Sequence, residues 1–158
     1  MDSFDKKILE IVQLNNLLSS ERIAEQVNLS ASAVQRRLKR LRKDGIIEAD
    51  VAIVSPQASG KLLTIVVEVT LEQGRPLSAV LDEFKRLINA TPEVMQCYHV
   101  TGNADFILII AVKDMPDYET LTHRLFIDNQ SVRRFQTSFV ISRVKARTIV
   151  SLADESGE

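Results

Sequence analysis

The stretch Ala31-Ser-Ala-Val-Gln-Arg-Arg-Leu-Lys-Arg-Leu-Arg-Lys43 decides the fold of the first third of the chain. Ser30 before it suits a helix N-cap, and Gly45 after it suits a left-handed helix stop. At roughly 100° per residue, one stripe of the helix carries its apolar side chains, which are Val34, Leu38 and Leu41. The stretch therefore predicts a helix with one apolar side and one polar side.

The polar side of this helix is strongly basic. Between residues 35 and 43 there is no acidic residue, although the whole chain has a formal net charge of −1. A local basic face on a near-neutral chain is typical of a surface that binds a polyanion, although many charge runs are only solvated. The basic residues are Arg36, Arg37, Lys39, Arg40, Arg42 and Lys43.

Two shorter helices are predicted before the basic one. The first runs from a cap among Asp2, Ser3 and Asp5 to the turn signal Asn15-Asn16. The second follows a cap at Ser19 or Ser20 and breaks at Asn28-Leu29-Ser30; its inner face is Ile23, Ala24 and Val27. Two helices joined by a short turn, with the second one basic, indicate a helix-turn-helix that binds double-stranded DNA.

Side-chain chemistry predicts separate roles along the recognition helix. Arginine forms bidentate hydrogen bonds with guanine and glutamine does so with adenine, and recognition helices contact bases mainly from their N-terminal half. We therefore expect Ser32, Gln35 and Arg36 at base edges, with Ser30 beside them. Phosphate contacts are expected from Lys39, Arg40, Arg42 and Lys43. Arg37, near the apolar stripe, is expected to tie helices together while touching a phosphate.

The remainder of the chain follows a β-α-β-β-α-β order. Residues 51–61 read as a connecting strand and linker, so we predict a DNA-binding domain over 1–50 and a second, self-associating domain over 62–158. Predicted strands cover 62–71, 94–101, 105–113 and 132–145, with helices over 77–88 and from about 116. The overall prediction is an α+β chain with a winged-helix-like domain followed by a ferredoxin-like sandwich.

One face of the predicted sheet lacks a covering layer. The helices of this arrangement lie on a single face, yet Val66, Leu108, Ile110 and Val140 cannot all point at them. An uncovered apolar face is typical of an interface, so we predict a two-fold homodimer. Such a dimer also supplies two recognition helices for a pseudo-palindromic site.

Composition excludes several classes of protein. The chain has 158 residues, 26% of them charged and 45% hydrophobic, and it contains no long uncharged apolar run. The acidic N-terminus does not read as a secretory signal, so we expect a cytoplasmic protein with no membrane association. Cys97 is the single cysteine, and His99 and His123 are the only histidines. We expect no metal, no cofactor and no catalytic residue, hence no enzyme.

At this point the sequence resembles the Lrp/AsnC family of transcriptional regulators over nearly its whole length. In the first domain the resemblance is carried by Asp2-x-x-Asp5-x-x-Ile8-Leu9 and by Leu29-Ser30-x-Ser32-x-Val34-x-x-Arg37-x-x-x-Leu41-x-x-x-Gly45-x-Ile47. In the second it is carried by Val94-x-x-Cys97-Tyr98-x-Val100-Thr101-Gly102-x-x-Asp105-Phe106 and Asp114-Met115-x-x-Tyr118.

The resemblance implies a regulator whose sheet domain dimerises, assembles further to tetramers or octamers, and binds a small effector, usually an amino acid, between dimers. Carried over, the effector residues are Thr101, Gly102, Asn103, Asp105, Met115, Thr137, Ser138 and Phe139. A glycine turn offers N–H groups to a carboxylate, and Asp105 can pair with an ammonium group. The alternative is that Gly102 is only a hairpin glycine and Asp105 a turn acid.

The sequence departs from the family pattern at several positions. Asn16-Leu17 replaces a common Gly-Arg pair, Arg42 replaces a common acidic residue, and Gln130-Ser131 replaces the usual Pro-Gly. Two other functions remain open from the residues: a dimeric αβ enzyme with a helical extension, and an amino-acid sensor without DNA binding. The missing acid/base constellation argues against the first, and the basic helix argues against both.

Overall fold

The computed structural model describes residues 1–74 and 76–152. It divides into two compact units. The first, here called the DNA-binding unit, contains residues 1–53 and, in the described part of the tail, residues 145–152. The second, the sheet unit, contains residues 54–144. The chain therefore passes from one unit to the other twice, at 53/54 and at 144/145.

Three helices build the DNA-binding unit: α1 (Ser3–Leu14), α2 (Ser20–Val27) and α3 (Ala31–Lys43). Asp2 caps α1 in a capping box with Asp5, Ser19 caps α2 and Ser30 caps α3. Asn28 ends α2 in the left-handed conformation, with φ 55°, which turns the chain sharply into α3. The three predicted helices and the short turn are confirmed.

A small apolar core holds these helices together. It consists of buried side chains from all three helices: Ile8, Ile23, Ala24, Val27, Val34 and Leu38. They recur at helical spacing within each helix, so packing places the polar side of α3 outward. Residues 46–55 follow the last turn and belong to no helix or strand.

The sheet unit contains strands β1 (Leu63–Leu71), β2 (Val94–His99), β3 (Phe106–Val112) and β4 (Val132–Phe139). They pair antiparallel in the order β2-β3-β1-β4. Helix α4 (Pro56–Ser59) is a single turn before β1. Helix α5 (Leu77–Asn89) follows β1, and α6 (Met115–Thr122) continues into a π-helical turn at His123–Ile127. This order confirms the ferredoxin-like arrangement.

The core of the sheet unit lies between the helices and one face of the sheet. Alternate β1 residues, from Ile65 to Leu71, are buried there against Val80, Phe84 and Ile88 of α5. The period of two along β1 and the helical period along α5 explain why these residues meet. Leu108 and Ile110 also point into this core, whereas Val66 points to the other face. The expectation that Val66, Leu108, Ile110 and Val140 do not all face the helices is therefore confirmed.

The opposite face, here called the open face, carries a mixed set of side chains. Val66 pairs with Ile109 and Glu68 pairs with Ile107, and all four alternate with buried residues. Tyr98 of β2 pairs with Ile107 and is 53% exposed. The open face is therefore apolar near the sheet centre and polar toward β4, where Gln136 and Ser138 lie.

Two further differences from the sequence prediction concern the ends of elements. Strand β4 ends at Phe139, six residues before the predicted end, because residues beyond Val140 pair with no neighbouring strand in the described part of the chain. The C-terminal tail, residues 145–152, clusters with the DNA-binding unit, whereas the sequence places it in the second domain.

Candidate DNA-binding surface and effector residues

Helix α3 presents a continuous polar surface to solvent. Val34 and Leu41 are fully buried and Leu38 is nearly so, whereas the predicted contact residues on the other side are exposed, with Arg37 half-buried. The Ser30 hydroxyl accepts from the backbone N–H of Ala33 at 3.2 Å and lies 3.1 Å from the Ser32 hydroxyl. The N-terminal turn of α3 is thereby fixed while its polar side chains face outward.

A carboxylate network holds α3 against α1. Arg37 Nη1 donates to Asp2 at 2.7 Å and to Asp5 at 2.8 Å, and Arg40 Nη2 donates to the second oxygen of Asp5. Asp5 has a side chain only 1% exposed. The Arg37 guanidinium also lies 5.6 Å from the ring centroid of Phe4. Arg37 therefore ties the two helices together, as the sequence predicts, and Arg40 shares that role.

Hydrogen bonding and charge keep these carboxylates ionised. Burial raises the pKa of Asp5, but hydrogen bonds from Arg37 and from the Asp2 backbone, with the charge of Arg40, bring it below its usual value. The pKa of Asp2 is also lowered, first by the Asp5 backbone N–H and then by Arg37. The same contacts raise the pKa of Arg37. Both carboxylates are therefore ionised at neutral pH.

A second ion pair fixes the C-terminal end of α3. Arg42 Nε donates to Asp50 at 2.7 Å, and the Asn16 side-chain amide donates to the other oxygen of Asp50 at 2.6 Å. Hydrogen bonds from Arg42 and Asn16 lower the pKa of Asp50. Two of the positions at which the sequence departs from the family pattern, Asn16 and Arg42, are thus joined through one carboxylate. Sequence reasoning missed Asp50 because nothing in its spacing pairs it with α3.

The ion pairs leave a smaller set of side chains for DNA. In the described residues, no hydrogen bond or ion pair is found for the side chains of four exposed α3 residues: Gln35, Arg36, Lys39 and Lys43. Gln35 and Lys39 line a cavity of about 440 Å³ with Ser19 and Ser20 at the start of α2. A phosphate at this position would meet Lys39 and the first turn of α2.

The predicted effector residues form two separate groups in the sheet unit. The hairpin group, Thr101, Gly102, Asn103 and Asp105, lies between β2 and β3 at the end of the sheet where β1 finishes. There the Asp105 N–H donates to Val69 O at 2.9 Å, and one Asp105 carboxylate oxygen accepts from Leu71 N–H at 2.7 Å. Gly102 has φ 122°, a conformation that favours glycine. One Asp105 oxygen therefore stabilises the turn, and no hydrogen bond is found for its other oxygen among the described residues.

The strand group lies toward the opposite end of β1. Thr137 pairs with Val67 and Phe139 with Ile65, on the helix-facing side. Met115, at the start of α6, and Phe139 are 53% and 45% exposed. Ser138 points to the open face instead. Along β1, Val67 is four residues from Leu71, which is about 13 Å. The structure therefore does not bring the eight predicted residues into one pocket within a single chain.

Tyr118 joins the strand group, although it is not among the eight effector residues expected from the resemblance. Its hydroxyl is hydrogen-bonded to the Thr137 hydroxyl, and its ring meets the Phe139 ring edge-on at 5.5 Å. The match Asp114-Met115-x-x-Tyr118 was the available signal, since it places Met115 and Tyr118 on adjacent turns of one helix. Together these residues form a small apolar surface with one hydroxyl pair.

Comparison with known proteins matches both units. The family model for the Lrp/AsnC ligand-binding domain matches residues 64–150, more than half of the chain, and a model for winged helix-turn-helix DNA-binding domains matches residues 1–48. The chain belongs to the Lrp/AsnC family. It is a ligand-responsive, DNA-binding transcriptional regulator with an α+β fold, and not an enzyme, as its sequence predicts.

Relatives of this Lrp/AsnC regulator cover it almost completely. An uncharacterised helix-turn-helix transcriptional regulator of Sinorhizobium fredii is 50% identical over 96% of this chain and 89% of its own length. The leucine-responsive regulatory protein of Haemophilus influenzae is 32% identical over 96% and 90%. The crystal structure of a Neisseria meningitidis regulator in complex with L-Met has a TM-score of 0.88 at 29% identity, covering 97% and 96%.

No helix in the described part of this regulator is long and apolar enough to cross a membrane.

Cys97 is half-buried on β2, and burial raises the pKa of its thiol. The neighbouring His99 ring stacks on Phe106 at 4.8 Å. Both residues are therefore occupied in packing at the edge of the sheet.

Proposed function

We propose that the regulator recognises its operator through the N-terminal half of α3. Gln35 and Arg36 would contact base edges, with Ser32 beside them, while Lys39 and Lys43 would contact phosphates. One observation supports this most: these exposed side chains lie on the face of α3 opposite its buried stripe. Arg37 and Arg40 would act mainly by holding that face in position, and Arg42 by fixing the end of the helix, with phosphate contacts secondary.

The experiment that tests DNA recognition is a titration of operator binding against salt. Each phosphate contact that releases a counterion should contribute a log–log slope of about −0.9. Lys43→Ala should reduce the slope by about one and weaken all sequences equally. Glu25→Gln on α2, outside α3, serves as a control that leaves the slope unchanged. A flat salt dependence of the wild type would contradict the proposal.

We propose that the open face pairs two chains into a homodimer. Its central residues Val66, Ile107 and Ile109 are apolar and lack any cover from the described helices. Two copies related by a two-fold axis would bury this face and present two recognition helices.

Ile109→Glu should give a monomer by analytical ultracentrifugation. Leu17→Glu, which alters a residue 95% exposed in the DNA-binding unit, is the matched control. A dimer that survives Ile109→Glu would exclude this interface.

The proposed effector is an amino acid held between chains. The hairpin group offers backbone N–H groups to a carboxylate and the free Asp105 oxygen to an ammonium group, while Met115 and Phe139 suit an aliphatic side chain. Because the two groups lie at opposite ends of β1, one ligand would contact both only if they came from different copies. This arrangement needs assembly beyond the dimer, to a tetramer or octamer. The names of two relatives, a leucine-responsive and a glutamate uptake regulator, support this ligand class.

Calorimetry with a panel of amino acids, including L-methionine and L-leucine, tests the effector proposal. Asp105→Asn is the decisive variant, because the asparagine oxygen still accepts from Leu71 N–H while the charge is lost. We expect this variant to bind the effector at least about tenfold more weakly. Asp117→Asn, at the exposed start of α6, is the control. Equal binding by wild type and Asp105→Asn would remove Asp105 from the site. The proposal places the regulator in the cytoplasm and requires no cofactor.

A further inference from the structure

A pair of hydrogen bonds attaches the C-terminal tail to helix α1. The side-chain amide of Gln13 donates to the carbonyl of Val150 at 3.1 Å and accepts from the N–H of the same residue at 2.9 Å. A primary amide offers one donor and one acceptor, and here it satisfies both polar groups of one peptide residue, as a neighbouring β-strand would. The amide does this without carrying a charge.

Gln13 lies in a partly buried stretch of α1. Gln13 is half-buried near the end of α1, and Leu9, one turn earlier on the same face, is 6% exposed. In the tail, Leu152 is half-buried, whereas Val150 keeps 61% of its surface exposed. The attachment therefore depends on the backbone of Val150 more than on its side chain, and Gln13 provides its polar contacts.

The other end of this segment is attached to the sheet unit. Val140 N–H donates to the carbonyl of Thr64 at 2.9 Å, and Arg143 donates to the Thr64 hydroxyl at 3.0 Å. From Arg143 to Val150 the chain has seven residue steps, which span at most about 25 Å. Anchors at both ends make this segment a short tether between the two units.

The other connection between the units is much longer. Asp50 is its last anchored residue in the DNA-binding unit, and β1 begins at Leu63. With the helical turn α4 kept, these thirteen steps reach at most about 38 Å, which is still longer than the tail segment. Without the attached tail, this longer connection alone would limit how far a DNA-binding unit moves relative to its sheet unit. With the tail attached, the shorter tether sets the limit.

We propose that Gln13 sets the operator spacing of this regulator by clamping the tail. This inference rests on the paired recognition of two half-sites proposed above. When both tails of a dimer are clamped, the positions that each recognition helix can reach are restricted. After one half-site is bound, the second recognition helix therefore has a high effective concentration at the other half-site only when the spacing between the half-sites matches. When the tails are free, the DNA-binding units move more widely, the two-site affinity falls and the spacing preference broadens. Gln13 acts as a positioning residue, because it lies on α1 rather than α3.

The test uses the full-length protein with Gln13→Leu, which removes both hydrogen bonds, and Gln13→Glu, which keeps an acceptor but has no donor. Gln26→Leu on α2 is the control, since the Gln26 side chain bonds only to its own helix at Arg22 among described residues. The first measurement is amide hydrogen exchange of the tail. Exchange at Val150 should accelerate about tenfold in Gln13→Leu, less in Gln13→Glu and not in Gln26→Leu. Unchanged exchange at Val150 would overturn the clamp.

The second measurement is binding to duplexes selected from a random pool by the wild-type protein. The selected duplex is then prepared as a single half-site and with one to five base pairs inserted between half-sites. Gln13→Leu should bind the single half-site like wild type, bind the selected duplex about tenfold more weakly, and lose less affinity on insertion. An insertion profile identical to wild type would overturn the spacing role. A wild type that binds one half-site as tightly as two would overturn the paired recognition itself, and the spacing role with it.

Discussion

The two units of this regulator organise their functional residues in opposite ways. In the DNA-binding unit, the residues proposed to contact DNA lie on one helix, and other residues of the same unit hold that helix in place. In the sheet unit, the residues proposed to contact the effector come from a hairpin, a helix start and a strand, and they lie at both ends of β1. The first surface is complete in one chain. The second, as proposed above, needs residues of another copy.

The two surfaces are also held in place by different kinds of interaction. Helix α3 is held by charged hydrogen bonds from Arg37, Arg40 and Arg42 to carboxylates of the same unit. The strand group depends on neutral contacts, namely the Tyr118–Thr137 hydroxyl pair and the packing of two rings. Helix α3 is therefore held mainly by charged contacts, and the strand group mainly by neutral ones.

The largest effect is expected from Asp5→Ala. The substitution leaves Arg37 and Arg40 without their shared buried partner, and we expect a loss of about 2–3 kcal/mol in the stability of the DNA-binding unit. Urea unfolding followed by circular dichroism, with hydrogen exchange to assign the unit, measures this. Asp44→Ala, at the exposed end of α3, should change stability little. A loss no larger than that of Asp44→Ala would mean that α3 does not depend on the carboxylate network.

The next effect is expected from Arg36→Ala. If Arg36 contacts a base edge, operator affinity should fall by about 1–3 kcal/mol and the preference at one base pair should relax. Anisotropy with duplexes carrying every single-base change measures both quantities. Arg22→Ala, which removes an exposed arginine of α2, is the control. If Arg36→Ala weakens all duplexes equally, Arg36 contacts phosphate and the division of roles along α3 must be redrawn.

A smaller effect is expected in the sheet unit from Tyr118→Phe. The ring contact with Phe139 remains, but the Thr137 hydroxyl loses its partner, so stability should fall by about 0.5–1.5 kcal/mol. Tyr98→Phe on the open face serves as the control for loss of a tyrosine hydroxyl. Thermal unfolding of both variants gives the comparison. Equal stability of the two variants would show that the neutral hydroxyl pair does not fix the strand group.

The smallest effect near neutral pH is expected from pH itself. Because the folded-state pKa values of Asp2, Asp5 and Asp50 lie below the usual 3.8, their contribution to stability is complete above that value. It is lost as the pH falls through the folded-state values, so stability should be flat from about pH 5 to 8 and decline below about pH 4. The midpoint temperature against pH measures this. Asp5→Ala should show a shallower decline, and an identical decline would contradict the assignment.

The sequence predicted the helical unit almost completely because its signals are local. The caps Asp2, Ser19 and Ser30, the periodic apolar residues and the left-handed turn at Asn28 all act within a few residues. The partners of the basic residues were not predicted, because Asp5 and Asp50 reach α3 only after folding. The resemblance to the family at Asp2-x-x-Asp5 pointed to these two residues, but it did not predict that they bind the arginines of α3.

The sheet unit was predicted less fully because its signals are non-local. The element order and the open face followed from alternation and from connection length, but register decides which residues share an end of the sheet. Leu108 and Ile110 lie in the core and Val66 lies on the open face, a division that alternation required but could not assign residue by residue. Neither the separation of the two effector groups nor the attachment of the tail has a local signal in the sequence.

The positions of the two tyrosines have a practical consequence. The chain contains two tyrosines and no tryptophan. Tyr98 lies on the open face, and Tyr118 lies against Thr137 and Phe139. Intrinsic fluorescence therefore has one source at each proposed contact surface, with no indole to mask it. Substituting either ring with phenylalanine assigns the signal, so self-association and effector occupancy can be followed optically and separately in unlabelled protein.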